Sequence, residues 1–190
     1  MQSHLMKLLD RAVIGSLLLM ALMLCGAQIA KATEVIPSIG LTKPVDGNED
    51  AKLYGSLALR GNILPILKTE IGVAYHQDDK LDDRLHVRMI PVTASLWLSP
   101  IPALYAGGGV GWYNINYDYD QDKIPVPVSD ETKQEFGVHL GGGVMVPLGT
   151  AAAIDLHGRY VMMQDQQSQL VPEKFNPDFW TTSLGIAFKF

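Results

Sequence analysis

The stretch DFWTTSLGIAFKF, residues 178–190, decides the fold, because large and small or polar side chains alternate along it. One face carries Trp180, Thr182, Leu184, Ile186, Phe188 and Phe190, and the other carries Thr181, Ser183, Gly185, Ala187 and Lys189. Successive side chains of a β-strand point to opposite faces, so a two-residue period predicts a strand. We therefore expect a strand here with one apolar face.

Seven earlier segments alternate in the same way, and after Thr33 no long stretch has helical periodicity. They are Val35–Lys43, Ala51–Gly61, Leu64–Tyr75, Arg84–Leu98, Ala103–Tyr119, Lys133–Val146 and Ala151–Gln164. Their length matches a tilted membrane crossing of about 9–11 residues better than the roughly 5–6 residues usual in sandwiches. Their polar faces are rich in glycine, which suits a narrow enclosed interior. The sequence predicts an all-β, eight-stranded, antiparallel up-and-down transmembrane β-barrel.

The connections between the segments alternate in length. The short ones are 62–63, 99–102 and 147–150, and the long acidic ones are 44–50, 76–83, 120–132 and 165–177. Short turns at one end and long loops at the other are typical of transmembrane barrels. Aligning the last short hairpin predicts that His139 lies opposite Arg159 and that Gly141 lies opposite His157.

The fourth segment leaves one question open. His86 and Arg88 share the parity of its apolar outer face. Either they lie above the hydrocarbon at the loop-side rim, or Pro91 marks a bulge that resets the alternation. Aromatic residues gather at strand ends, where membrane interfaces are expected. The loop-side group is Tyr75, Trp112, Tyr117, Tyr119, Phe136 and Trp180, and the turn-side group is Trp97, Tyr105, Phe188 and Phe190.

The N-terminal residues have the pattern of a secretory signal peptide. Lys7 and Arg11 precede an apolar run over 12–27, and Ala30 and Ala32 form an A-x-A site before Thr33. We expect residues 1–32 to be a signal peptide cleaved near Ala32 and 33–190 to be the barrel domain. The alternative is an uncleaved helical anchor. Leu24 argues against lipidation of Cys25, because lipoprotein signals want a small residue before the cysteine.

Composition excludes several classes of protein. The chain has 190 residues, a net charge of −5 and one cysteine. A negative chain is a poor nucleic-acid binder, and one cysteine supports neither a disulfide scaffold nor a thiolate zinc site. Removal of the signal peptide would take three basic and one acidic residue and leave the barrel domain more acidic.

The last eight residues, SLGIAFKF, carry a resemblance to a known family. Polar Ser183, then Gly185, aromatic Phe188 and terminal Phe190 resemble the C-terminal assembly signal of bacterial outer-membrane barrels. The chain from about 33 to 190 looks like the porin-like small outer-membrane β-barrel family, which contains OmpX, OmpW and the membrane domain of OmpA. The resemblance implies a monomer in the bacterial outer membrane. Its expected partners are outer-membrane lipid, lipopolysaccharide, periplasmic chaperones and the barrel-assembly machinery. The family has no shared active site, so no functional residue is carried over.

The inward faces of the predicted strands carry ionisable side chains of both signs. We expect a lumen charge network of Lys52, Arg60, Lys68, Glu70, Glu135, His139, Asp155, His157, Arg159 and Lys189. An eight-stranded barrel is just wide enough for side chains to fill, and buried charges must pair. The sequence thus predicts a plugged lumen and a mainly structural or surface role. The alternative is an OmpW-like narrow channel for small solutes.

No sequence motif points to catalysis, a cofactor or a metal ion. The run Asp118, Asp120 and Asp122 lacks the glycine and the glutamate of a calcium loop, and the GGG runs lack a following Lys-Ser/Thr. A lipid A-modifying barrel enzyme is a third interpretation, but no serine accompanies His76 or His86 convincingly at the rim. A soluble periplasmic barrel is the fourth.

Overall fold

The computed structural model describes residues 32–45, 50–80, 85–119, 131–163 and 177–190. They form eight strands, bounded as follows: β1 Ala32–Pro44, β2 Lys52–Leu64, β3 Leu67–Lys80, β4 Leu85–Ile101, β5 Leu104–Tyr119, β6 Glu131–Pro147, β7 Ala152–Met163 and β8 Phe179–Lys189. Within these ranges no helix is long and apolar enough to cross a membrane. The expected signal peptide lies, apart from Ala32, outside the described residues.

The strands follow one another around a closed barrel, and every neighbouring pair is antiparallel. The barrel closes where β1 pairs with β8, from Glu34 opposite Lys189 to Pro44 opposite Phe179. The predicted all-β, eight-stranded, up-and-down barrel is confirmed. The loop expected at 76–83 is wrong, because β3 runs on to Lys80, which lies opposite Leu85 of β4.

Two hairpins differ from the prediction by a few residues. The first tight turn lies at 65–66, between Leu64 and Leu67, and not at 62–63. In the last hairpin Gly141 lies opposite Arg159 and Gly143 opposite His157. The predicted pairs were wrong by two residues, because the hairpin closes with the Leu148 amide donating to the carbonyl of Ala152 at 2.8 Å. A shift of two leaves every side chain on its predicted face.

The alternation of faces is continuous along β4. Arg88 lies on the outer face with Ile90, Val92 and Leu96, whereas Pro91 is buried in the interior. The register of β4 against β5 is uninterrupted from Leu85 to Leu98, so there is no bulge at Pro91. The first of the two interpretations is therefore correct: His86 and Arg88 lie at the loop-side rim.

The aromatic side chains divide between the two faces of the sheet. Tyr75, Trp112, Phe136 and Trp180 are exposed on the outside near the loop ends, as predicted, and Phe188 and Phe190 are exposed on the outside at the turn end. For three others the predicted position at the membrane interface is wrong. Trp97, Tyr105 and Tyr117 are buried inside, Trp97 with 0% exposure. Their odd positions along β4 and β5 give them the inward parity, which overrides their place near strand ends.

Proline interrupts the backbone ladder at two places. Between β1 and β8 the pairs that would join 36–37 to 186–187 are missing, and between β3 and β4 those that would join 74–75 to 90–91 are missing. Pro37 lies in the first gap and Pro91 in the second. Proline has no N–H to donate, so it cannot complete a ladder on the side that its nitrogen faces.

Candidate functional site

The interior is crossed by one layer of hydrogen-bonded side chains, which we call the central network. It comprises Arg60, Glu70, Tyr105, Asp155, His157 and Arg159. It contains two arginines and two carboxylates. Their formal charges sum to zero when the imidazole is counted as neutral. Lone charges would be costly in such an enclosed space, whereas paired and hydrogen-bonded ones are tolerated.

Arg60 is the most connected member. Its Nε and Nη2 donate to Oε2 of Glu70 at 2.8 and 2.6 Å, and Nη2 also reaches Oδ2 of Asp155 at 3.0 Å. Glu70 is the direct cross-strand neighbour on β3, whereas Asp155 belongs to β7. The guanidinium of Arg60, whose side chain is only 2% exposed, therefore connects β2 and β3 on one side of the barrel to β7 on the other.

Tyr105 supports the same layer from β5. Its hydroxyl donates to Oδ1 of Asp155 at 2.6 Å and lies 2.8 Å from Nδ1 of His157. A hydroxyl has one hydrogen, so its oxygen is left to accept from the imidazole N–H and from Nη2 of Arg60 at 3.2 Å. The Arg60 guanidinium also lies 4.4 Å from the centre of the tyrosine ring, a cation–π distance.

Arg159 completes the layer with fewer contacts. Its Nη2 donates to Oε1 of Glu70 at 3.2 Å, and its Nη1 donates to Oγ1 of Thr93 at 3.3 Å. Its Nε has no hydrogen-bond partner among the described residues, and its guanidinium is 5.7 Å from the Trp97 ring. Both oxygens of Glu70 are thus occupied by arginines.

Glycine makes the space for these side chains. A Cβ built on Gly143 would lie 2.6 Å from Cζ of Tyr105, closer than atoms can approach. Gly109 of β5 lies directly opposite Ser95 of β4 on one side and directly opposite His139 of β6 on the other. The hydroxyl of Ser95 and Nε2 of His139 meet over it at 2.9 Å. The glycine-rich segments therefore shape the interior, as the sequence predicts.

An aromatic and thioether layer supports the network. Trp97 packs edge-to-face on Tyr105 at 5.6 Å and on His157 at 5.1 Å. Met145 is buried, and its sulfur accepts from Nη1 of Arg60 at 3.4 Å. On the loop side of this layer lies a cavity of about 70 Å³, and on the turn side an open pocket of about 560 Å³. The central network separates the two.

The structure brings together only part of the predicted charge network. Arg60, Glu70, Asp155, His157 and Arg159 meet in the central layer, and His139 lies beside it, 6.2 Å from Trp97. The other four lie elsewhere, at the ends of the lumen. Lys52 and Glu135 belong to the loop-side parts of β2 and β6, and Lys68 and Lys189 line the turn-side pocket. Glu135 forms no hydrogen bond or ion pair with another described residue.

Sequence reasoning missed the members of the layer that carry no charge. The sequence predicts Tyr105 and Trp97 at the membrane interface and indicates no role for Met145 or Thr93. Their inward parity was the available signal. Parity alone does not give the height of a residue in the barrel, because that depends on the stagger of the strands.

The site offers little for catalysis. Ser95 and His139 form the one serine–histidine hydrogen bond among the described side chains, but both are buried, and Nδ1 of the imidazole has no partner there to orient it. A nucleophile pair needs such a third group and access for a substrate. In the described ranges, no group of three or more histidine, cysteine or acidic side chains is placed to hold a metal ion.

This chain has detectable similarity to solved structures. No protein-family model and no curated protein matches the sequence. Neisserial surface protein A matches the structure with a TM-score of 0.54 and 13% identity, over 83% of this chain and 96% of its own. Ail, the attachment invasion locus protein of Yersinia pestis, has a TM-score of 0.53 and 15% identity over 84% and 99%.

The outer membrane protein OprG from Pseudomonas aeruginosa has a TM-score of 0.51 and 17% identity, over 84% of this chain and 97% of its own. The fold is that of the small outer-membrane β-barrels. At these identities the likeness concerns the architecture of the small barrel and not the chemistry of its interior.

Proposed function

We propose that this chain is a bacterial outer-membrane β-barrel with a mainly structural or surface role and a lumen closed by side chains. The observation that supports this most directly is the central network, in which Arg60 bonds to two walls of the barrel at once. A non-enzymatic role agrees with it, because the ionisable groups there bond to one another.

The outer surface supports the membrane location. Large apolar side chains remain exposed on every strand, among them Leu41, Leu57, Val73, Leu96, Val110, Leu140, Leu156 and Leu184. Soluble proteins rarely expose contiguous apolar patches of this extent. In lipid, a closed barrel with such a face satisfies its backbone internally and exposes the apolar side chains to hydrocarbon.

The tryptophans test the membrane location. Trp112 and Trp180 are exposed outside, whereas Trp97 is enclosed. In single-tryptophan variants, with the other two replaced by phenylalanine, lipids brominated along their acyl chains should quench Trp112 and Trp180 strongly and Trp97 weakly. Equal quenching of all three, or recovery of the expressed chain in the soluble periplasmic fraction, would contradict the proposal.

Export and assembly form part of the same proposal. We expect cleavage near Ala32, recognition of Ser183, Gly185, Phe188 and Phe190 by the barrel-assembly machinery, and insertion as a monomer among lipid and lipopolysaccharide. The Phe190 side chain is 84% exposed at the turn end, which leaves it accessible to a partner. N-terminal sequencing of the membrane-inserted chain tests the cleavage, and deletion of Phe190 should lower the yield of inserted barrel.

A narrow channel for small solutes is the second candidate. The observation that favours it is that the loop-side cavity and the turn-side pocket are separated only by the central network and the aromatic and thioether side chains packed against it. Planar-bilayer recordings distinguish the two candidates. The closed barrel should give no stable conductance, and Trp97→Ala should introduce one. Steady conductance of the unaltered chain would favour the channel.

A further inference from the structure

The turn-side end of the barrel contains charged groups that the central network does not use. The open pocket of about 560 Å³, which we call the turn-side pocket, is lined by Glu34, Lys68 and Lys189 together with polar and proline residues of the turns. Met145 forms its roof and separates it from Arg60. The pocket opens outward at the end where the three short turns lie.

Glu34 is the unusual member of this lining. Its side chain is on the first strand, directly opposite Lys189 on the last, and it is only 6% exposed. Its Oε2 has no hydrogen-bond partner among the described residues. A buried carboxylate without a donor costs free energy, so a cation that enters the pocket and lies against the Glu34 carboxylate would be favourable.

The two lysines are weakly satisfied. The one hydrogen bond that Lys68 makes in the described part of the chain runs from Nζ to Sδ of Met145 at 3.7 Å, and a thioether is a weak acceptor. Lys189 takes part in no ion pair with another described residue. Two ammonium groups and one carboxylate therefore line the same pocket without pairing within 4 Å.

The walls of the pocket are stiff. Four prolines line it, in the three short turns or in the strand ends beside them: Pro65, Pro100, Pro102 and Pro147. Proline fixes its backbone φ angle, so these turns have little freedom to lose when a ligand binds. A preformed site of this kind reduces the ordering cost of association.

We propose that the turn-side pocket binds a small zwitterion, a molecule that carries one ammonium and one carboxylate group. Glu34 receives the ammonium, and Lys68 and Lys189 receive the carboxylate. A dipeptide has both groups and fits the volume. This inference goes beyond the proposed structural role and does not depend on whether the lumen conducts, because the pocket lies below the central network.

The test is a titration of the full barrel, folded in detergent, with glycylglycine, followed by NMR or calorimetry. We expect a dissociation constant on the order of 1 mM, because the groups are partly solvated. N-acetylglycylglycine, which lacks the ammonium, and glycylglycinamide, which lacks the carboxylate, should each bind about tenfold more weakly.

Variants assign the two ends of the ligand. Glu34→Gln should weaken glycylglycine binding about tenfold and leave N-acetylglycylglycine binding unchanged, because that ligand lacks the ammonium group. Lys68→Met should also weaken glycylglycine binding about tenfold, but it should leave glycylglycinamide binding unchanged, because that ligand lacks the carboxylate. Lys52→Met, at the loop end, removes the same charge and should have no effect. Each variant is compared by its heat-modifiable gel migration, so that loss of folding is separated from loss of binding.

Two results would overturn the proposal. Equal affinity for glycylglycine and its N-acetyl form would mean that the pocket takes anions only and that Glu34 has no part in it. No detectable binding by a correctly folded barrel at millimolar glycylglycine would mean that water alone satisfies the three groups.

Discussion

Arg60 and Arg159 divide the two oxygens of Glu70 between them. Arg60 bonds to Oε2 at 2.6 Å, and Arg159 bonds to Oε1 at 3.2 Å. Arg60 also bonds to the carboxylate of Asp155, whereas the other hydrogen bond of Arg159 is to the uncharged hydroxyl of Thr93. The two therefore contribute unequally to the same layer.

Arg60→Met should destabilise the barrel strongly. Methionine retains part of the volume but leaves Glu70 and Asp155 without their shared guanidinium, and breaking a buried pair by removing one partner costs about 3–5 kcal/mol. Urea unfolding in lipid vesicles, monitored by tryptophan fluorescence, measures the loss. Arg88→Met removes an exposed ion pair with Asp118 and should cost under about 1 kcal/mol. Equal losses in the two variants would refute the central role of Arg60.

Arg159→Ala should lower the thermal unfolding midpoint in detergent, but by less than Arg60→Ala does. Its side chain is 15% exposed and leaves Glu70 still bonded to Arg60. Circular dichroism during heating gives both midpoints. An unchanged midpoint for Arg159→Ala would show that its contact with Glu70 contributes nothing to stability.

Two tyrosines provide a matched pair of hydroxyl deletions. Tyr105→Phe removes the donor to Asp155 and the contact with His157, and we expect it to cost about 1–3 kcal/mol. Tyr113 is equally enclosed, but its hydroxyl has no partner among the described residues. Tyr113→Phe should therefore be neutral or slightly stabilising. The same urea titration compares them, and a larger loss at Tyr113 would contradict the assignment.

Two glycines provide a matched pair of methyl additions. Gly143→Ala places Cβ against the Tyr105 ring and should cost about 1–3 kcal/mol through overpacking. At Gly158 the nearest atom to a new Cβ is the Thr181 carbonyl oxygen at 3.9 Å, so Gly158→Ala should change stability little. If both variants unfold at the same urea concentration, Gly143 does not make room for the ring.

Strand number was predictable from the connections that divide the alternating segments, and the face of each residue was predictable from parity. The alternation along β8 and β7 fixes which side chains point inward whatever the register. The pairing of His139 with Arg159 failed because it depends on how one turn closes its hydrogen bonds, and the residues 147–150 do not reveal that. A shift of two residues keeps every side chain on the same face, so the alternation of the sequence could not reveal this error.

The membership of the central network was only partly predictable. Arg60 and Lys52 share a strand and a face, yet eight positions at about 3.3 Å each separate them along the lumen, with Lys52 at the loop end and Arg60 in the central network. Which inward residues meet depends on strand stagger, and stagger follows from the registers of all eight pairs. The interface prediction for Trp97 and Tyr105 is wrong for a related reason, because parity decides the face of a residue and nearness to a strand end does not.

The two prolines that interrupt the backbone ladder affect the mechanical stiffness of the barrel wall. Pro37 lies at the joint where the first and last strands meet, and Pro91 lies between β3 and β4, roughly across the circumference. Apart from these two gaps and three irregularities at the turn end, the strand registers are continuous, so the wall has two local weak points, each two residue pairs long. We expect deformation of the wall to concentrate at these two points, where the backbone hydrogen bonds are missing.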